Sequence, residues 1–179
     1  LEDAERRLSY LYDTLLGIDN ALAEGIDTEN GDLLEADRVS DIREKFQQAM
    51  NDDFNSPQAL GQLSDVAKLA NDLIRRKKKT PGRGKTLQFI RETLTEVGDV
   101  LGVMNREPKT VLAELRSLAI ARLNIDVAHI DDLVNQRTQA RADRDWEKAD
   151  QLRDQLVHEG IELMDGPEGT QWRPALGSL

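Results

Sequence analysis

The chain has 179 residues, with 39% hydrophobic and 32% charged side chains and a formal net charge of −10. That is enough chain for one well-filled core or two small ones, and no apolar run in it reaches the length that spans a bilayer. The absence of cysteine excludes disulfides, thiolate zinc sites and thiol nucleophiles.

The first residues, Leu1-Glu2-Asp3-Ala4-Glu5-Arg6-Arg7, lack the apolar stretch of a signal peptide. With nothing to indicate secretion, a cytoplasmic location is the default expectation. The chain opens without Met and already in helical pattern, as expected of a piece of a longer protein. Charge is unevenly spread: residues 1–74 carry 6 basic and 17 acidic side chains, 75–85 carry 7 basic and none acidic, and 86–179 carry 11 basic and 17 acidic. Bulk attraction to a polyanion is therefore weak, and such a partner needs a local patch or a few directed contacts.

Leu8, Leu11, Tyr12, Leu15, Leu16 and Leu22 recur at helical spacing and predict a helix over 1–24, ended by Gly25 and the polar run Asp27 to Asp32. A second helix is predicted over 37–50 on Val39, Ile42, Phe46, Ala49 and Met50. The turn Asn51-Asp52-Asp53-Phe54-Asn55-Ser56-Pro57 follows, with Ser56 as the expected N-cap and Pro57 in the first helical position. The third helix continues through Ala59, Leu63, Val66, Ala70 and Leu73. Arg75-Arg76-Lys77-Lys78-Lys79-Thr80-Pro81-Gly82-Arg83-Gly84-Lys85 combines charge with helix breakers and is expected to be an exposed loop, either plainly solvated or an RNA patch.

A fourth helix on Leu87, Ile90, Leu94, Val97 and Leu101 is expected to stop near Gly102, and a fifth covers 110–123. The pattern then restarts. Ile130, Leu133, Val134 and Ala140 mark one amphipathic helix, and Trp146, Ala149, Leu152 and Leu156 a second, with Asp145 as its N-cap. Ile161-Glu162-Leu163-Met164 alternates as a strand, Asp165 to Gly169 is a turn, and Thr170-Gln171-Trp172-Arg173 returns as a second strand. The fold class is mainly α: an antiparallel helical bundle over 1–124, then a small α+β unit over 125–179 made of a helix hairpin and a β-hairpin.

Catalytic chemistry is sparse. His129 and His158 fit neither a triad nor a metal-ligand spacing, and Pro81-Gly82-Arg83-Gly84-Lys85 lacks the Walker pattern. No catalytic centre is expected in this chain. The informative stretch is Arg137 to Arg173. Trp146 at a helix start can stack on an unpaired base, or can staple the hairpin as core. Asp150 shares its helix face, Arg141 ends the preceding helix, and Asp165 opens the turn. Carboxylates suit a site that reads donor-rich base edges, since they accept from the cytosine amino group and from guanine's Watson–Crick N–H groups. Asp150 can equally be ordinary surface charge.

The segments Ala140-Arg141-Ala142-Asp143-Arg144-Asp145-Trp146-Glu147-Lys148-Ala149-Asp150-Gln151-Leu152-Arg153-Asp154 and Gly160 to Arg173 resemble the C-terminal domain of bacterial cysteinyl-tRNA synthetases. Phe46 to Leu60, centred on Met50-Asn51-Asp52-Asp53-Phe54-Asn55-Ser56-Pro57, resembles the start of the helical DALR domain of that family, with Ser56 where many relatives have Thr. The resemblance implies a class I, ATP-dependent enzyme that joins cysteine to its tRNA. Its Rossmann domain, nucleotide motifs and zinc ligands would precede Leu1, so ATP and zinc are not expected to bind this chain. It further implies a DALR-type bundle over 1–124 and an anticodon-binding domain over 125–179. Arg141, Trp146, Asp150 and Asp165 match the positions that contact the G-C-A anticodon. The expected partner is cysteine-specific tRNA, bound by a monomer with no membrane involved. The basic segment 75–85 and the tail 174–179 match no family motif. Asp145 to Leu156 also resembles the pairing hairpin of excision-repair proteins, which leaves a helical protein–protein interaction module without RNA binding as the alternative.

Overall fold

Helical spacing of leucine and alanine, interrupted by glycine and short polar turns, gives seven helices and one two-stranded sheet in the computed structural model, which describes residues 2–76, 80–166 and 169–175. The helices are α1 (Glu2–Ala23), α2 (Ala36–Asn51), α3 (Ser56–Arg75), α4 (Arg83–Leu101), α5 (Pro108–Leu123), α6 (Val127–Ala142) and α7 (Trp146–His158), followed by β1 (Ile161–Gly166) and β2 (Gly169–Pro174). The chain divides into two compact units, one of residues 8–112 and one of 1–7 with 113–179.

In the unit of residues 8–112, α2, α3 and α4 pack on one another. Leu15, Ile18, Val39, Leu63, Leu73, Leu87, Ile90 and Leu94 are among its fully buried side chains. Such a side chain contributes about 1.5–3 kcal/mol relative to exposure, so this stripe outweighs any single polar contact in the bundle. Within this unit, polar contacts tie α1 to its neighbours: Asn71 on α3 donates to the Thr14 hydroxyl at 2.9 Å, and Arg91 on α4 donates to Asp19 at 2.7 Å.

Three expectations are corrected in this fold. The N-cap of α3 is Asn55, whose side chain accepts from the Gln58 N–H at 3.2 Å; Ser56 and Pro57 are already helical. Asp53 and Phe54 both take left-handed backbone conformations, φ 52° and 55°. They reverse the chain one residue early and bring the Asn55 amide, rather than the Ser56 hydroxyl, to the helix start.

The segment 75–85 is not one exposed loop. Arg75 closes α3, and Arg83, Gly84 and Lys85 form the first turn of α4, with Gly84 buried; residues 77–79 lie outside the described residues. Arg83 donates to the carbonyls of Leu73 at 2.8 Å and Ile74 at 2.9 Å, so this cation satisfies orphan acceptors at the α3 C-terminus. The reason for Gly84 burial is contact with the loop after α1. A Cβ on Gly84 would stand 2.2 Å from the Asp27 carbonyl oxygen, and one on Gly82 1.9 Å from that of Asp32. Gly82 donates to the Asn30 carbonyl, and Thr86 accepts from the Leu34 N–H at 2.8 Å.

In the unit containing 113–179, α6 packs on α7 and both pack on the hairpin. The predicted cap is present: Asp145 accepts from the Lys148 N–H at 3.1 Å, and Asp126 caps α6 in the same way through His129 N–H at 3.2 Å. The strands are antiparallel, with Ile161 opposite Pro174, Leu163 opposite Trp172 and Asp165 opposite Thr170. Asp165, expected in the turn, is thus a strand residue, and Thr170 lies in the second strand as expected. Because side chains alternate along a strand, these three pairs share one face. Ile161 and Trp172 on it join Ile130, Leu133, Val134, Leu152 and Leu156 in the core. Trp172 donates its indole N–H to Asp131 at 2.7 Å and carries the Arg116 guanidinium 4.2 Å from its ring centre. Of the tail from Pro174 onward, Ala175 donates to the Gly160 carbonyl, and residues 176–179 lie outside the described residues.

Candidate nucleic-acid interface

Helix α6 turns one face to the hairpin. Ile130, Leu133, Val134 and Ala140 on it are buried, and so is Arg137, which is only 6% exposed. One turn later on that helix stands Arg141. The strand face that supplies Ile161 and Trp172 to the core ends in Asp165 and Thr170, so pleat and helix period bring two arginines to one carboxylate.

The Arg137 guanidinium grips Asp165 with both terminal nitrogens, at 3.1 and 3.2 Å. The Thr170 hydroxyl donates to the same carboxylate at 2.7 Å, and Arg141 donates to its other oxygen at 2.7 Å. Arg137 also approaches the Thr170 hydroxyl at 3.4 Å. The Arg137 fork, followed by the Thr170 and Arg141 hydrogen bonds, holds the Asp165 carboxyl far below the usual carboxylate range. Four donors on two oxygens fill the lone pairs a carboxylate offers.

Arg141 meets this cluster from the solvent side, with 44% of its side chain exposed against 8% for Arg137. Three residues, Asp143 to Asp145, separate α6 from α7, and Asp145 donates its N–H to the Ala140 carbonyl at 2.8 Å. The turn delivers Trp146 as the first residue of α7, close in sequence to Arg141. Trp146 is 60% exposed, which removes the alternative that it staples the hairpin as core; Trp172 takes that place. Asp150 is exposed one turn further along α7, on the Trp146 face. Among the described residues, neither the Trp146 indole nor the Asp150 carboxylate makes a hydrogen bond.

The structure therefore joins Arg141 to Asp165 and leaves Trp146 and Asp150 free at and just below the hairpin turn. Sequence reasoning missed Arg137 and Thr170. The available signal was an arginine on the apolar stripe of α6, four residues before Arg141. His129 is engaged with Glu159 at 3.3 Å. Among the described residues, no group of three or more His, Asp or Glu is placed to hold a metal ion, and no helix is long and apolar enough to cross a membrane.

The chain thus holds a helical bundle and a unit of helix hairpin and β-hairpin, the latter carrying an exposed tryptophan and an arginine held by a carboxylate. Residues 45–105 match the DALR domain family, and residues 127–173 match the family described as cysteinyl-tRNA ligase anticodon binding domain. Over 97% of its length the chain is 41% identical to a cysteine–tRNA ligase of Anaeromyxobacter sp. (strain Fw109-5), covering 34% of that protein. It is 37% identical over 97% of its length to the cysteine–tRNA ligase of Geobacter metallireducens, covering 36%. It is 35% identical over 98% of its length to the chloroplastic/mitochondrial cysteine–tRNA ligase of Arabidopsis thaliana, covering 32%. The chain belongs to the cysteine–tRNA ligase family, with a DALR domain and an anticodon-binding domain, and spans about a third of the length of the curated relatives it matches.

Proposed function

We propose that this chain binds cysteine-specific tRNA and reads its G-C-A anticodon through Arg141, Trp146, Asp150 and Asp165. It does so as the RNA-binding portion of an ATP-dependent enzyme that attaches cysteine to tRNA. Adenylate chemistry, ATP and zinc are assigned to the remainder of such an enzyme, and none to a residue of this chain. The protein acts as a monomer in the cytoplasm.

The observation that carries this reading is Trp146, 60% exposed at the start of α7 within an anticodon-binding domain. Leaving a large aromatic in water while the other tryptophan fills the core is costly for folding alone and useful for stacking an unpaired base. Arg141, close to it in sequence, supplies a cation for phosphate or for base acceptors. The unpaired Asp150 carboxylate accepts from donor-rich G and C edges. Directed contacts of this kind operate despite the net charge of −10, and bulk phosphate attraction contributes little.

The test is binding to an anticodon stem-loop carrying G-C-A beside one with its first two bases changed. Preference for G-C-A, with a shallow dependence on salt, is expected. Equal binding to both loops would sink the base-reading assignment.

A further inference from the structure

We infer that Arg137 is a positioning residue for base reading: it clamps Asp165, and through Asp165 it fixes the guanidinium of Arg141 for the RNA. The inference rests on the anticodon reading above and adds to it a residue that never touches RNA.

The first support is burial. The Arg137 side chain is 8% exposed, so it is closed to a nucleic acid, and its Nε is buried without a hydrogen-bond partner. A buried guanidinium with one unsatisfied donor is an expensive way to fill the apolar stripe of α6, where a methionine or leucine would pack as well. The expense is offset by one contact, the two-pronged grip on Asp165 at 3.1 and 3.2 Å.

The second support is the saturation of Asp165. Its two oxygens already accept from Arg137, Thr170 and Arg141. A base donor gains a place there only by displacing one of these. The open hydrogen-bonding groups at this spot belong to Arg141, which spends a single nitrogen on Asp165 at 2.7 Å and keeps the rest of its fork toward solvent. A free arginine side chain samples many rotamers, and holding it before RNA arrives removes part of that ordering cost from binding. The matching ligand is an acceptor-bearing base edge, such as the O6 and N7 pair of guanine. Asp165 serves such a site as the anchor of the arginine fork, and Arg137 with Thr170 serves as the anchor of Asp165.

The test uses the 179-residue chain with Arg137→Lys, which keeps the charge and loses the fork, and Thr170→Val as a second, milder variant. Rotation of the Arg141 guanidinium is measured by nitrogen NMR in the free protein. Stem-loop discrimination is measured for each variant alone and combined with Arg141→Ala. The expected result is faster Arg141 rotation in both variants. Arg137→Lys should lower discrimination roughly fivefold or more, within the range for one lost bidentate contact, with no further loss once Arg141 is alanine. Unchanged Arg141 rotation in both variants would overturn the inference. So would an Arg137→Lys effect that persists undiminished in the Arg141→Ala background, which would mark a role in the fold only. If the unchanged chain shows no preference between loops, the anticodon reading falls, and the rotation measurement still decides whether Arg137 positions Arg141.

Discussion

Replacing each tryptophan in turn tests the proposal that Trp146 is held for RNA while Trp172 is held for the fold. Trp172 is 7% exposed, lies opposite Leu163, donates to Asp131 and sits under Arg116, whereas Trp146 is 60% exposed. A tryptophan buries about 150–250 Å², which at about 25 cal/mol per Å² is roughly 4–6 kcal/mol for a fully buried ring. Trp172→Ala should cost about 3–5 kcal/mol, as large core truncations do. For Trp146 less than half of the ring area is covered, and the compact unfolded chain hides some of that as well. Trp146→Ala should therefore cost about 1 kcal/mol or less. Its effect on RNA should be the reverse. Loss of a stacked base is worth about 1–3 kcal/mol, or roughly a 5- to 150-fold weaker complex.

Urea denaturation followed by circular dichroism gives the first pair of numbers, and stem-loop titration gives the second. Since the chain has 2 tryptophans, Trp172→Phe leaves Trp146 as the only indole, and its fluorescence should be quenched as the stem-loop binds. A Trp146→Ala protein that is as unstable as Trp172→Ala, or that binds the stem-loop as tightly as the unchanged chain, would refute the reasoning.

Three further outcomes are expected. Asn55→Ala should destabilise the bundle by about 1 kcal/mol and Ser56→Ala by less than about 0.5 kcal/mol, measured by thermal unfolding, because only the former is the cap of α3. Gly84→Ala should cost about 1–3 kcal/mol, since its Cβ would meet the Asp27 carbonyl oxygen at 2.2 Å and the Ile26 side chain at 2.8 Å, and backbone must move to admit it. Asp165 has its pKa depressed in the folded protein by Arg137, Thr170 and Arg141. The stability linked to it is complete above the unfolded carboxylate value of about 4 and is lost as pH falls below that toward the folded value. Melting temperature against pH should show that loss, and Asp165→Asn should reduce the slope; an unaltered slope would place the acid sensitivity elsewhere.

Local rules were enough for most elements. Helical spacing located α1 to α7, and the alternation from Ile161 marked the hairpin, because these patterns report which face each element must bury. Asp145 was readable as a cap because a capping side chain bonds only two or three residues ahead. Asn55 was not, since the choice between it and Ser56 depended on left-handed backbone at Asp53 and Phe54, which composition does not report. The basic run 75–85 misled for a related reason. Charge and glycine there indicate a loop, yet Arg83 is spent on the carbonyls of Leu73 and Ile74, and Gly84 is needed where another backbone passes.

Arg141, Trp146, Asp150 and Asp165 were singled out from sequence by residue type and by resemblance, but their burial and hydrogen-bond partners were decided in three dimensions. Periodicity placed Trp146 on the same helix face as Asp150 without saying whether that face was covered. Only the packed hairpin, with Trp172 in the core, left Trp146 in water. The grip of Arg137 on Asp165 joins residues 28 apart in sequence. It exists because the β-hairpin register and the pitch of α6 coincide at that point, and no local pattern in the chain encodes that coincidence.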